Sequence, residues 1–425
     1  MTPSTKSGAT CRSCGASELT TFLSLGAMPL ADGLLKPEDL DAFEPRFPLD
    51  VALCRGCSLV QILETVPPEV LFCRDYPYFS SFSETLLAHS RRNVEALVAS
   101  RGLGPKSLAV ELASNDGYLL QYFVKRGVPV LGIDPAEGPV AAARARGIPT
   151  LQAFFGRDLA LELRREGKRA DVIVANNVLA HVADLNGFVA GIALLLKDDG
   201  VAVIECPYVK DLVDDAEFDT IYHEHLCYFS VTALDALFRR HGLSLVHLDR
   251  LPIHGGSLRL YVEPAGGPGR AAPASGPAGG RGEAVARALE AEARAGLDDI
   301  GYYAGFAARV EAIRAGLRTL LSDLKGCGKR IAGYGAAAKG AVLLNYAGID
   351  GRFLDYIVDR NVHKQGRYVP GVRLPIHDPA RLLDDRPDYV LLLPWNLRNE
   401  VLRQQREYRV GGGRFIIPIP HLEIV

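Results

Sequence analysis

The spacing of apolar residues divides the chain into stretches of different period. Residues 1–75 stand apart as a cysteine-bearing module. After Tyr76-Pro-Tyr-Phe-Ser-Ser-Phe-Ser83, the positions Leu86, Leu87, Val94 and Leu97 recur at the spacing of a helix. From residue 107 short apolar runs alternate with helical stretches. Ser107–Ala113, Val128–Asp134, Ala170–Asn177 and Gly200–Glu205 predict buried strands, and helices are predicted over Tyr118–Lys125, 139–146 and about 186–197. Residues 264–282, rich in Gly, Pro and Ala, predict a flexible surface loop or linker. Two helical patterns follow, about 283–297 and 303–326. Strands are then predicted at Arg330–Gly335, Phe353–Asp359, Tyr389–Pro394 and Arg414–Pro418. Alternating strands and helices of this kind build a doubly wound α/β sheet. The organisation expected is 1–75, 76–263, a connection over 264–326, and 327–425: two sheets and a cysteine-rich cap.

Composition narrows the function without naming it. The chain of 425 residues is 48% apolar and 23% charged, ordinary for a soluble protein of two or three domains. Its 48 basic and 50 acidic residues give a formal charge of −2, which argues against nucleic acid as the main partner. No apolar run approaches the roughly 20 residues of a membrane span, and the first ten residues lack the apolar core of a signal peptide. A cytoplasmic location with no membrane partner is the expectation, and nothing demands more than a monomer.

Of the eight cysteines, four form Cys11-x-x-Cys14 and Cys54-x-x-Cys57. Two such turns supply the four thiolates of a tetrahedral Zn²⁺ site, and with all four positions filled the metal is structural. Disulfides are the competing reading, disfavoured in a reducing cytoplasm.

Two strand-to-helix turns look like nucleotide sites. In Val110-Glu-Leu-Ala-Ser-Asn-Asp-Gly117 only Gly117 remains of a dinucleotide fingerprint, so no pyrophosphate loop is present. Asp134 ends the next strand, placed to accept both hydroxyls of a ribose. A nucleoside without phosphate fits such a site, and S-adenosylmethionine is the natural candidate. Glu111, Ala113, Ser114, Asn115, Asp116 and Gly117 would hold its methionine end, Asp134 and Pro135 its ribose. Phe154 or Phe155 would lie beside the adenine, unless that pair belongs to the core. Asn176 and Asn177, at a strand end, would lie beside the cofactor. The second turn, Gly333-Tyr-Gly-Ala-Ala-Ala-Lys339, offers an anion the free N–H groups of a helix N-terminus. Lys339, Lys364 and Arg367 could add charge for a diphosphate, and Asp359 ends the next strand.

The densest chemistry lies in Ile221-Tyr-His-Glu-His-Leu-Cys-Tyr-Phe-Ser230, where six side chains can donate, accept or relay a proton. If the segment is extended, Tyr222 and Glu224 face one way while His223 and His225 face the other.

In the order and spacing of the Cys-x-x-Cys pair, Tyr76-Pro-Tyr, Glu111–Gly117, Asn176-Asn-Val-Leu-Ala-His181, Tyr222-His-Glu-His225, His254-Gly-Gly and Gly333–Lys339, the chain resembles the sugar C-methyltransferases of bacterial natural-product and cell-surface glycan pathways. The resemblance covers nearly the full length. It implies a small N-terminal zinc module, a class I methyltransferase sheet that binds S-adenosylmethionine, and a C-terminal Rossmann-like sheet that grips a nucleotide-sugar. The substrate class it implies is a nucleoside-diphosphate 4-keto-6-deoxysugar, usually the dTDP form, methylated beside the ketone at C3 or, in some members, C5. One departure is Ala113, where such enzymes more often place glycine.

That reaction removes a proton next to a ketone, so it needs a base and a donor to the enolate oxygen. His225 is the expected base, with Tyr222 donating to the ketone oxygen or relaying the proton. Glu224 would orient its neighbours or bind a sugar hydroxyl, His181 is the alternative base or donor, and Tyr76 would close the pocket from the cap. His223 reads as a backbone hydrogen bonder more than as a catalyst, and metal binding by the two histidines lacks further ligands. Tyr78, His254, Gly255, Gly256, Tyr334, Lys339, Asn345, Asp359, Lys364, Trp395 and Asn396 are the substrate-binding candidates; His254 could be a turn residue, and Trp395-Asn396 could meet the nucleoside base or pack. Three other functions compete: a nicotinamide-dependent sugar oxidoreductase on the Gly333-Tyr-Gly turn, a non-catalytic zinc protein, and methylation on oxygen or nitrogen.

Overall fold

A computed structural model describes residues 9–72, 79–253, 255–267 and 282–425. Tyr76, Tyr78 and His254, and most of the 264–282 linker, therefore lie outside the described residues. Three sheets are present rather than two, because the cap has one of its own. Its strands β1 (Leu19–Met28), β2 (Phe47–Cys54) and β3 (Val60–Ile62) are antiparallel neighbours. The fourth strand comes from far along the chain: β9 (Cys227–Tyr228) pairs with β3, Val60 opposite Tyr228 and Gln61 opposite Cys227. The histidine-rich segment thus runs directly into the sheet of the cap.

At one end of that sheet the sulfurs of Cys11, Cys14, Cys54 and Cys57 all lie within 4.8 Å of one another. Cys11 Sγ is 3.5 Å from Cys57 Sγ, and Cys14 Sγ is 3.5 Å from Cys54 Sγ. A disulfide would bring sulfurs to about 2.05 Å, whereas a tetrahedron with about 2.3 Å Zn–S bonds spaces them about 3.8 Å apart. The donor set fits zinc. The N–H groups of Ser13 and Cys14 also point at Cys11 Sγ, at 3.4 and 3.5 Å, the polarity a thiolate requires. Without a metal, crowding against Cys57 and burial push the Cys11 thiol up, and burial first and then Cys11 push Cys54 up to about 11. A divalent cation reverses that penalty.

The second sheet contains β4 (Ala109–Leu112), β5 (Val130–Asp134), β6 (Thr150–Gln152), β7 (Ala170–Asn176), β8 (Leu196–Pro207), β10 (Leu243–Leu251) and β11 (Ser257–Pro264). Its order is β10-β11-β8-β7-β4-β5-β6; all pairs from β8 to β6 are parallel, and β11 runs antiparallel to both neighbours. The near-continuous apolar runs of β4 and β7 follow from burial on both faces. Strand β4 has β5 on one side and β7 on the other, so the chain switches direction there and leaves a crevice at the carboxyl ends. The 113–117 turn, Asp134 and Asn176 all lie on that edge.

The third sheet, in the order β14-β13-β12-β15-β16-β17, comprises β12 (Ile331–Tyr334), β13 (Ile357–Val358), β14 (Ile376–His377), β15 (Tyr389–Leu392), β16 (Arg414–Ile417) and the antiparallel β17 (Glu423–Ile424). Its switch point lies at the end of β12, beside the Gly335–Ala337 turn. The doubly wound α/β class is as the sequence predicts, but several elements differ. Strands β6, β10 and β11 and the helix Arg157–Arg165 are additional. The strand expected over Phe353–Asp359 shrinks to two residues, because Phe353 and Leu354 close a turn onto Asp350. The helix expected over 303–326 breaks at Gly305 into Ile300–Ala304 and Phe306–Gly326. No helix among the described residues is long and apolar enough to cross a membrane.

One buried carboxylate ties the connecting helix Glu283–Ala295 to the second sheet. Glu292, 1% exposed, accepts from Tyr208 Oη (2.8 Å), the N–H groups of Val231 (2.6 Å) and Thr232 (2.8 Å), and Thr232 Oγ1 (2.6 Å). The charge sits at the N-terminus of the helix Val231–Arg240, where the helix dipole favours it. Glu292→Ala leaves these donors buried without an acceptor and is expected to cost about 2–4 kcal/mol, read as a lower urea midpoint. Zinc removal by a chelator is expected to lower the melting temperature by roughly 5 °C or more. Unchanged melting, with no zinc by elemental analysis, would contradict the structural metal.

Candidate active site

Residues 221–225 form a tight turn, not an extended strand. The N–H of His225 donates to the carbonyl of Tyr222 at 2.9 Å, which brings the two rings together with centroids 4.1 Å apart. The alternation expected for an extended segment therefore fails: Tyr222 and His225 share one side, and His223 and Glu224 point away. His223 Nε2 lies 3.2 Å from the carbonyl oxygens of both Phe47 and Pro48 in the cap, buried. Glu224 is also buried; burial first, then the neighbouring Asp32 carboxyl, raise its pKa well above the ordinary range against the pull of Lys364. It therefore sits where cap, second sheet and third sheet meet.

His225 Nδ1 lies 2.8 Å from the carbonyl oxygen of Thr220. A carbonyl only accepts, so Nδ1 carries the proton and Nε2 is the basic nitrogen. The ring of His181, in the single turn Leu179–His181 that follows β7, stands edge-on to His225 at 4.7 Å. Burial, then the neighbouring His225, hold the His181 pKa well below its usual value, so this imidazole is neutral at neutral pH. Its Nδ1 is buried without a hydrogen-bond partner among the described residues. Tyr208, Thr220, Cys227 and Tyr228 line a small, largely apolar cavity beside His225.

At the cofactor crevice the 113–117 turn is unusually wound: φ is +55° at Ala113, +48° at Asn115 and +77° at Gly117. Ala113 thus adopts the left-handed backbone that favours glycine, at a cost of about 1–2 kcal/mol. Asp134 secures the turn: Oδ2 accepts from the N–H of Asn115 at 2.9 Å and Oδ1 from the N–H of Ala136 at 2.8 Å. Each oxygen keeps a second lone pair. Pro135 follows it directly. Asp116 Oδ2 takes Arg146 Nη1 at 3.2 Å. Burial, then Asp134 and Asp116, raise the pKa of Glu111, beneath the turn, well above its usual value. Ser114 Oγ and both amide atoms of Asn176 are buried without partners among the described residues. Such orphaned polar groups fit a polar ligand at this edge. Asn177 is held at φ +53° with its N–H on the carbonyl of Glu205 (2.8 Å). Phe155, partly buried, packs edge-on against the core residue Phe188 at 5.4 Å, while Phe154 is 42% exposed.

The substrate-binding candidates divide into several groups. Gly255 and Gly256 have φ of +91° and +121°, and a Cβ would fall 2.3 Å from Glu217 Oε1 and 2.2 Å from Asp211 Oδ2 respectively. Glycine there lets two acidic side chains close in. Lys339 Nζ donates to Asn396 Oδ1 at 3.0 Å and lies 4.4 Å from the centre of the Trp395 ring. Burial lowers its pKa, against the attraction of Asp219 and Glu217. Trp395 donates its indole N–H to Asp219 Oδ2 at 2.8 Å. Lys364 Nζ donates to the Ala336 carbonyl at 2.8 Å, and Asp359 accepts the Ala336 N–H at 2.7 Å, both at the second nucleotide-type turn. Asn345 is occupied by the carbonyls of Ala341 and Pro370. Tyr334 is buried against Phe415. The sequence reading missed Asp32, Tyr208, Glu217, Asp219 and Thr220. Asp219 and Glu217 lie in an acidic stretch, 211–219, whose pattern resembles an ordinary solvated face.

Burial pushes Asp219 up to about 6 and Glu217 up to about 8. Taken together, a basic imidazole nitrogen, a neutral second histidine and a phenol stand beside a crevice fitted to a cofactor: an arrangement suited to proton removal.

Family models match in the same order as the three sheets: a zinc binding domain over residues 11–72, a methyltransferase domain over 88–248, and a C-methyltransferase C-terminal domain over 252–420. The chain is 36% identical over 415 residues to C-methyltransferase NovU of Streptomyces niveus, covering 98% of this chain and 96% of that one. A ubiquinone biosynthesis O-methyltransferase of Rhodopseudomonas palustris (strain TIE-1) is 29% identical over 113 residues, 27% of this chain and 43% of that one. Among solved structures, magnesium protoporphyrin IX methyltransferase from Synechocystis PCC 6803 with bound S-adenosylmethionine aligns with a TM-score of 0.33 at 14% identity, over 42% of this chain and 82% of that one. Near full-length identity and three domain matches in order place the chain in the C-methyltransferase family, as an S-adenosylmethionine-dependent enzyme with an N-terminal zinc-binding domain.

Proposed function

We propose that the substrate is a nucleoside-diphosphate 4-keto-6-deoxysugar, dTDP-linked, and that the methyl group goes to C3, beside the ketone. The observation that carries this reading is the His225 imidazole, proton-bearing on Nδ1 toward Thr220 and ringed by His181 and Tyr222. A hydroxyl oxygen or a free amine nitrogen already carries a lone pair that can attack, but a carbon beside a ketone must first become an enolate. A base next to neutral hydrogen-bond donors is what that step requires.

In this reading His225 Nε2 takes the C3 proton, and the electrons of that C–H bond move into the enolate. Tyr222 or neutral His181 donates to the enolate oxygen. His181 suits this role because its suppressed basicity keeps it from competing for the C3 proton. When bound, S-adenosylmethionine would supply the methyl group: C3 would take it as the S–CH₃ bond breaks, with S-adenosylhomocysteine as the leaving group and the ketone restored. Asp134 would hold its ribose through the remaining lone pairs, and Ser114 and Asn176 would satisfy their orphaned atoms on its methionine portion. The diphosphate would lie at the N-terminus of the helix Ala338–Ala347, near Lys364, with Gly255 and Gly256 alongside the sugar. Residues 1–75 would serve as zinc module, 76–263 as cofactor domain, 264–326 as connection and 327–425 as substrate domain.

Asparagine at position 225 keeps a donor for the Thr220 carbonyl but cannot accept the proton. His225→Asn is expected to bind S-adenosylmethionine within about twofold of wild type and to lose roughly 10²–10⁴ in kcat on a dTDP-4-keto-6-deoxysugar. Near-wild-type turnover would move the base to His181.

A further inference from the structure

We propose that Asp219 and Trp395 are positioning residues for His225, through which the third sheet holds the imidazole in its proton-accepting tautomer. The proposal rests on the reading of His225 as base and extends it to residues with no assigned part in the reaction. The key element is the single turn Phe218–Thr220. It is closed internally: the N–H of Thr220 (3.1 Å) and Thr220 Oγ1 (2.7 Å) both donate to the Glu217 carbonyl, and the N–H of Ile221 donates to the Phe218 carbonyl at 3.0 Å. That leaves the Thr220 carbonyl to accept from His225 Nδ1 at 2.8 Å.

The turn is gripped from outside by the third sheet. Asp219 is fully buried, and its Oδ2 accepts the Trp395 indole N–H at 2.8 Å, across 176 residues of sequence. Trp395 opens a turn just after β15 and is itself 7% exposed. Lys339 lies over its ring at 4.4 Å and is tied to Asn396, which fixes the plane of the indole. Phe218 meets Tyr346 of the helix Ala338–Ala347 at 5.3 Å. Each step from Trp395 to the imidazole is thus a hydrogen bond or a single peptide unit. Without the hydrogen bond between Trp395 and Asp219, the Thr220 carbonyl could rotate away from the ring. The imidazole could then carry its proton on Nε2, a tautomer that accepts nothing there.

A buried tryptophan that only packs, or one that stacks on the nucleoside base, makes different demands. The full-length enzyme, labelled with ¹⁵N in histidine side chains, reports the tautomer of His225 by NMR, with His225→Gln assigning the signal. The rings around it are His181, Tyr222 and Tyr228, and the charged groups around Asp219 are Lys339 and Glu217; all are retained in the variants. Trp395→Phe keeps the aromatic bulk and deletes the N–H. It is expected to give a mixed His225 tautomer and a kcat lower by roughly tenfold or more, with KM for S-adenosylmethionine within about twofold. Asp219→Ala is the second probe should that protein not fold, and the same changes are expected. Asp219→Asn retains an acceptor oxygen and is expected to restore the Nδ1–H tautomer and most of the turnover. A wild-type tautomer in both Trp395→Phe and Asp219→Ala overturns the proposal. So does a raised KM for the nucleotide-sugar at unchanged kcat, which would make Trp395 a substrate contact. If the tautomer mixes but His225→Gln itself turns over normally, the brace stands and the assignment of the base falls.

Discussion

An imidazole removes a proton only through a nitrogen that does not already bear one, and here the Thr220 carbonyl decides which nitrogen that is. The 2.8 Å contact to Nδ1 is short, local and made to a backbone carbonyl five residues earlier. The chemistry of the site depends on this constraint. His181, 4.7 Å away, is desolvated and neutral. The Tyr222 ring lies 4.1 Å from that of His225, held there by the turn that joins their backbones. In the proposed mechanism one ring accepts the proton and its neighbours donate.

The three sheets are organised around the segment that carries this contact. Residues 217–230 touch the third sheet through Asp219 and Trp395, and the cap through His223 and through β9, the fourth strand of its sheet. Glu292 of the connecting helix then fastens the start of the next helix. A segment anchored on three sides loses little conformational freedom when substrate binds, which is how preorganisation contributes to rate. The zinc site belongs to the same arrangement. Its four sulfurs fix the ends of β2 and the β2–β3 turn, so the sheet that receives β9 is rigid although its apolar core is small.

Much of this was legible in the sequence. The alternating strands, the two Cys-x-x-Cys turns and the dense polar run at 222–230 each stand out by period or composition, and the family resemblance tied them together. What could not be read was direction. Two-residue alternation placed Tyr222 and His225 on opposite faces, because nothing local signals that residues 222–225 close a turn. Trp395 and Lys339 looked like ligand contacts because they follow strand ends, yet their partners, Asn396 aside, come from Asp219 and Glu217, more than a hundred residues earlier. The cap's sheet was hidden because one strand is only two residues long and belongs to another part of the chain. Ala113 departs from the glycine that the family resemblance leads one to expect, and its φ of +55° gives that departure a physical meaning: the turn is held by Asp134, not by the freedom of its own backbone.

In the proposed mechanism this protein makes a carbanion equivalent beside a ketone before any methyl group moves. The most direct measurement is hydrogen exchange on a dTDP-4-keto-6-deoxysugar in D₂O, followed by mass spectrometry with and without S-adenosylmethionine. The account predicts enzyme-dependent deuterium uptake at C3 without transfer, and with the cofactor a gain of about 14 Da, one CH₂ of net mass, retained on carbon. A methylated product that forms with no exchangeable carbon position, or a methyl group found on oxygen or nitrogen, would contradict it.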